Sequence, residues 1–360
     1  MHITQQHERS SVGNRWTFGI VGVGLIVASA CGGDPVTEDG SATPHDDAGQ
    51  QNSGDADANS TTGTDANTDA SSAPPTFTFT TFPFEFAKLQ SMTPLGNMNP
   101  PAHTFPTDHI YLFHHVGREG DAPYDVFAPA EGTVVMVQRE ADDAVYIASS
   151  SVHTYFIGHM LVDKTIVANQ HIAAGQKIGT TGPISHALDL GVLNSSRENA
   201  FINPDRYGVN SRRSEAPFTF FSQSLKDQLG PLVTTTPENR EGNFVFDRAG
   251  TLSGNWFHET LAISESVGPA AGPKHIAFVR DIVDPSRRVV SMGGTVGKAG
   301  VYFMETSDPD PTSVTPSSGP VTLHLSNMQQ GTTGVPMVVT LTAADRIRVQ
   351  FEGADEAYTR

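Results

Sequence analysis

A chain of 360 residues with 37% hydrophobic content has room for two modest domains and falls short of three. A formal charge of -17 and a sequence pI near 5.1, with no basic run, argue against phosphate-backbone binding, so no nucleic-acid partner is expected. Cys31 is the single cysteine, which excludes an internal disulfide and leaves stability to packing or to a metal.

At the N-terminus, Arg9 and Arg15 precede the apolar run Phe18 to Ala30, "FGIVGVGLIVASA". The run has the length of a signal-peptide h-region and is short for a membrane span, so residues 1–30 are expected to be an export signal. "VASAC" resembles the lipobox of bacterial lipoproteins, with Ala28 where a leucine is usual. The resemblance implies lipid attachment at Cys31 and anchoring in the cell envelope; Gly32 in place of an inner-membrane retention aspartate points to the outer membrane in a two-membrane host. Cleavage without lipid is the alternative. Residues 31–75 are rich in Asp, Ser, Thr, Gly and Asn and carry no Lys or Arg. Such a segment cannot bury enough apolar surface to offset its ordering entropy and reads as an acidic tether.

From Thr76 onward, short Phe, Val, Ile and Thr runs separated by Gly and Pro read as β-strands. Tyr124 to Val137, "YDVFAPAEGTVVMV", reads as strand, turn and strand; Val145 to Met160 adds two more strands as a local meander. Gly175 and Gln176 form a tight turn, and Gly179 and Gly182 allow close backbone approach. "SHALDLGV" then places Asp189 inside an apolar strand, where a carboxylate is costly unless compensated. The clearest helix is Phe220 to Leu232, with Ser222 as cap, Leu225 and Leu229 on one face, and Gly230 with Pro231 as the stop. These elements suggest one mainly β domain over residues 76–238. A second β-rich domain follows at 239–360, a sandwich or a barrel in which Trp256 is either core or a sugar-stacking aromatic.

The series His103 to Asp108, "APAEGTVV", "YFIGHM", "GQKIGTTG" and "HALDLGV", spanning residues 97 to 194, resembles in order and spacing the lysostaphin and LytM type zinc endopeptidases that cut peptidoglycan cross-bridges. The resemblance implies an antiparallel LytM-like sheet, a zinc ion, and cell-wall peptide as partner. Carried over residue by residue, it makes His103, Asp108 and Asp189 the metal ligands and His159 the residue that assists the metal-bound water. Two departures stand out. Asp108 follows His103 by five residues where the family has four, and the strand offers two registers. In one, His186 heads the family's His-x-His pair and Leu188 falls on the ligand position. In the preferred one, Asp189 takes that position and Ala187 stands where a second catalytic histidine is expected.

A zinc peptidase needs three protein ligands, an open water position and a base or donor for the developing oxyanion. A His-Asp-Asp set is harder than His-His-Asp and would also admit manganese or magnesium. Against the metal role, Asp189 could accept hydrogen bonds from turn amides, and His103 and His159 could be structural. His109, His114, His115 and His153 enrich the region and could substitute as ligands. Two functions from different classes follow: a metal-dependent endopeptidase of cell-wall peptides, and a non-hydrolytic binding or regulatory module of the envelope.

Overall fold

The computed structural model describes residues 77–114, 122–139, 143–182, 186–268 and 270–360. The expected signal segment, the expected lipid-attachment residue Cys31, the expected tether and His115 lie outside the described residues.

The first domain is built on an antiparallel sheet of β1 (Leu89–Thr93), β2 (Ile110–His114), β3 (Asp125–Phe127), β4 (Gly132–Gln138), β5 (Asp143–Ala148), β6 (His153–Val162), β7 (His171–Ile172), β8 (Lys177–Thr181), β9 (Ala187–Asn194) and β10 (Ser214–Glu215). Its main path runs β1-β2-β9-β6-β5-β4-β7, with β10 on β9, β8 on β6 and β3 on β8. In β9 the period of two is plain. Leu188, Leu190 and Val192 have no exposed surface and point into the core, so Ala187, Asp189 and Gly191 face the other way. Val145, Ile147, Tyr155, Ile157 and Ile178 complete the same core layer.

The strands of Tyr124 to Val137 form where expected but do not pair with each other. β3 pairs with β8, because Phe127 donates its N–H to Pro83 and Ala128 exchanges backbone hydrogen bonds with the Gly175–Gln176 turn. β4, β5 and β6 are the true meander. Gly179 sits where a Cβ would run into the Leu161 carbonyl, which is the close approach its position in "GQKIGTTG" implied. The expected helix forms as α3 (Gln223–Leu229), capped by Ser222, which accepts from the Leu225 N–H, and a separate short helix, α2 (Pro217–Phe220), lies just before it. A five-residue helix, α1 (Val209–Arg213), precedes them and had no clear sequence signal.

The second domain is a closed barrel of β11 (Gly254–His258), β12 (His275–Arg280), β13 (Arg288–Met292), β14 (Gly300–Met304), β15 (Val321–Asn327), β16 (Thr332–Ala343), β17 (Arg346–Phe351) and β18 (Ala354–Thr359). Closure leaves no edge, and alternation sorts each strand: Ile347, Val349 and Phe351 of β17 are buried while Arg346, Arg348 and Gln350 are exposed. Trp256 is core, with no exposed surface; its Nε1–H donates to the Leu252 carbonyl and the Arg360 guanidinium lies 3.8 Å from its ring centroid. Burial lowers the Arg360 pKa to about 10, yet its guanidinium donates to the carbonyls of Arg248, Leu252 and Ser253.

Alternation fails in β12, where His275, Ile276, Ala277, Phe278 and Val279 are all buried. Ile276 and Phe278 belong to the barrel core, whereas Ala277 and Val279 pack against Met98, Phe105 and Phe246 on the outside. The first domain covers that outer face. Phe244 still belongs to the first core, and Leu95 bridges to Gly242, so the connecting segment packs with the sheet before the chain enters the barrel.

Trp256→Ala should cost about 3–5 kcal/mol of stability by emptying the barrel core, read as a fall in the denaturant midpoint with little change in slope. A loss below about 1 kcal/mol would mean that the ring is not a core residue.

Candidate functional site

Asp189 lies on the open face of β9, opposite Tyr111 of β2 and Gly158 of β6. The same face of β2 carries Tyr111 and, one residue before the strand, His109, because Ile110 and Leu112 take the core side with no exposed surface. His109 is the centre of the site. Its Nδ1 lies 2.9 Å from Asp108 Oδ1, and its Nε2 lies 3.3 Å from Asp189 Oδ2 and 3.2 Å from the Tyr111 hydroxyl. Asp108 is held from its other side by Ser211 of α1, whose hydroxyl donates to Oδ2 at 2.5 Å. Ser214 donates to the Asp108 carbonyl.

His159 reaches the site through a β-bulge. Asp143 pairs with Met160 but Val145 with Ile157, so β6 carries one extra residue there, and His159 takes φ of 61°, left-handed for a non-glycine residue. Regular alternation would send His159 to the face opposite Gly158. The bulge turns it back, and its Nε2 stands 3.2 Å from Asp189 Oδ2. At 32% side-chain exposure, against 12–14% for His109, Asp108 and Asp189, it stands closer to solvent than those three. His103 closes the group. Its ring meets those of His109 and Tyr111 edge-on at 5.9 and 6.3 Å, and its backbone exchanges two hydrogen bonds with Asn99.

The four residues expected at the site, His103, Asp108, His159 and Asp189, are therefore gathered in one place. The carboxylates flank His109 instead of meeting around a common point. Asp189 Oδ2 lies 3.3 Å from His109 Nε2 and 3.2 Å from His159 Nε2, and its Oδ1 is buried without a hydrogen-bond partner. His153 is engaged elsewhere, by Ser150 and Glu215, and His114 packs edge-on against Phe84 and Tyr124. His109 had been only one histidine among several neighbours; extending the β2 alternation one residue back would have singled it out. Tyr111 follows from the same pattern, whereas no spacing rule links Ser211 to Asp108.

Zinc binds through nitrogen or oxygen lone pairs aimed at one centre. Both Asp108 oxygens and both His109 nitrogens are engaged within the cluster, and among the described residues no three His, Cys, Asp or Glu side chains are set to hold one ion. As arranged, these residues do not fit a three-ligand zinc centre. They fit an imidazolium between two carboxylates. Burial disfavours the charged form of His109, but Asp189 and Asp108 outweigh it and raise the pKa above the usual histidine value. Burial likewise opposes ionised Asp108 and Asp189, and the imidazoles outweigh it, lowering both. His103 is lowered by burial and by the neighbouring charge of His109. Burial and Asp189 push the Tyr111 hydroxyl well above its ordinary range.

The linkage has a definite sign. The raised pKa of His109 contributes stability in full below its unfolded value of about 6.5, and that contribution is lost as pH rises through the folded value. The depressed pKa values of Asp108 and Asp189 contribute above about 3.9 and are lost as pH falls through their folded values. His109→Gln should therefore destabilise by about 3–5 kcal/mol at pH near 6, where it strands two buried carboxylates, and by less at pH near 8.5. Urea unfolding of both proteins at the two pH values checks this; a gap that stays constant or widens with pH would contradict a charged His109.

No protein-family model matches this sequence, and no curated relative does. Among solved structures, the chain is similar to Helicobacter pylori Csd3 at 19% identity, over 34% of this chain and 33% of that one, with a TM-score of 0.26. It is similar to a zinc containing peptidase from Vibrio cholerae at 22% identity, over 33% of this chain and 38% of that one, TM-score 0.27. The catalytic domain of the antimicrobial peptidase lysostaphin from Staphylococcus simulans aligns at 16% identity over 38% of this chain and 92% of that one, TM-score 0.25. The chain thus spans between a third and two fifths of the first two proteins, and these likenesses are partial and of fold.

Proposed function

We propose that the chain is an exported envelope protein, lipid-anchored through Cys31, whose LytM-like domain binds cell-wall peptide over the His109 cluster without metal-dependent hydrolysis. The motif order supports cell-wall peptide as the partner, and the export signal and acidic tether support the location. The observation that carries the non-hydrolytic reading is the engagement of His109 by carboxylates on both ring nitrogens. A metal here would have to compete with His109 for both Asp108 and Asp189. His159, closer to solvent than His109, Asp108 and Asp189, is placed to meet a bound peptide, with Asp189 orienting its ring.

A second reading, the zinc or other divalent-cation endopeptidase, draws on one observation. Asp189 Oδ1 is buried and unpartnered, and a cation would satisfy it.

Purified protein should co-sediment with peptidoglycan sacculi, release no soluble peptide with or without added zinc, and carry well under one metal per chain by elemental analysis. His159→Ala should weaken the co-sedimentation by about tenfold, the loss of a charge-assisted contact. Stoichiometric metal together with peptide release that disappears in His159→Ala would overturn the proposal in favour of the endopeptidase.

A further inference from the structure

His103 and Asp108 are the two ends of one short loop, and Thr104 and Phe105 between them seat against the barrel domain. Thr104, 1% exposed, donates its hydroxyl to the Gly272 carbonyl at 2.8 Å, and Gly272 lies in the β11–β12 connection of the barrel domain. Phe105 stacks on His275, the first residue of β12, with ring centroids 4.0 Å apart and planes 7° from parallel. It meets Phe257 of β11 edge-on at 5.0 Å. Burial lowers the His275 pKa to about 3, so this ring is neutral at any ordinary pH and acts as an apolar platform. Gly272 is glycine for a reason at this contact: a Cβ there would run into the Pro101 carbonyl.

The first domain ties the loop at its base, and Tyr207 meets the Phe105 ring at 6.3 Å. Gly96 donates to the Thr107 carbonyl, Thr107 to that of Asn97, and His103 and Asn99 exchange two backbone bonds. The tip of the loop rests on the barrel. Arg206 adds a tie nearby, donating to the Leu261 carbonyl and to Ser266 while its guanidinium lies 4.9 Å from the Phe257 ring centroid.

We propose that the barrel is a positioning domain for the site, and that Thr104 and Phe105, seated on Gly272 and His275, are positioning residues that set where His103 and Asp108 stand. The inference is independent of what the site binds or cleaves. A loop of this length without its anchor would sample many conformers, and fixing it against a closed barrel removes that freedom.

The test follows the imidazole resonances of the intact protein at fixed pH in three variants. Phe105→Ala removes the ring from its platform, Thr104→Val removes only the hydroxyl bond, and Gly272→Ala pushes on the loop from the barrel side. All three should shift the His103 and His109 resonances by more than those of His153, which is held by Ser150 and Glu215, and Phe105→Tyr should restore the wild-type pattern. Thr104→Val is the mildest change and keeps the test open should the others fail to fold. Unchanged His103 and His109 resonances in folded Thr104→Val or Gly272→Ala protein would overturn the proposal, as would shifts of equal size at His153.

Discussion

The bridge from Asp108 through His109 to Asp189 is the interaction on which the rest of the first domain's open face depends. It joins the end of the 97–108 loop to the middle of β9, and Asp189 Oδ2 passes the connection on to His159 in β6. Each partner alone would be a costly buried ion; together each imidazole or carboxylate neutralises the next. That mutual compensation is why an aspartate is tolerated in a strand whose other neighbours are Leu188, Leu190 and Val192.

The bridge also explains the strain beside it. Holding His159 at positive φ costs on the order of 1–3 kcal/mol, and such a conformation persists only where its surroundings over-determine it. Here β6 changes partner at this point, pairing with β9 up to Gly158 and with β8 from Met160. The bulge lets one strand serve both neighbours and, in doing so, aims an imidazole at Asp189.

The two domains are not beads on a string. The outward side chains of β11 and β12, Phe257, Ala277 and Val279, are as buried as the inward ones, because Met98, Phe105 and Tyr207 of the first domain lie over them. An all-buried strand in a barrel marks a docked partner, and here the partner is the loop that carries the site.

Much of this architecture was legible in the sequence: the strand periodicity of β9 and β17, the "GQKIGTTG" turn with its close-approach Gly179, the Ser222 cap, and the gathering of His103, Asp108, His159 and Asp189 at one place. The periodicity, the turn and the cap depend on residues near one another in the chain, where alternation and turn chemistry act directly, whereas the four site residues were placed together only by the resemblance of motif order. The pairing of β3 with β8, the choice of barrel over sandwich, the contact of Ser211 with Asp108 and the seat of Phe105 on His275 belong to the tertiary structure. The central place of His109 does too. Its residue type and strand face were readable, but its role follows from two carboxylates, one adjacent in sequence and one on β9, taking its two nitrogens, and only the packed sheet brings the second within hydrogen-bond reach.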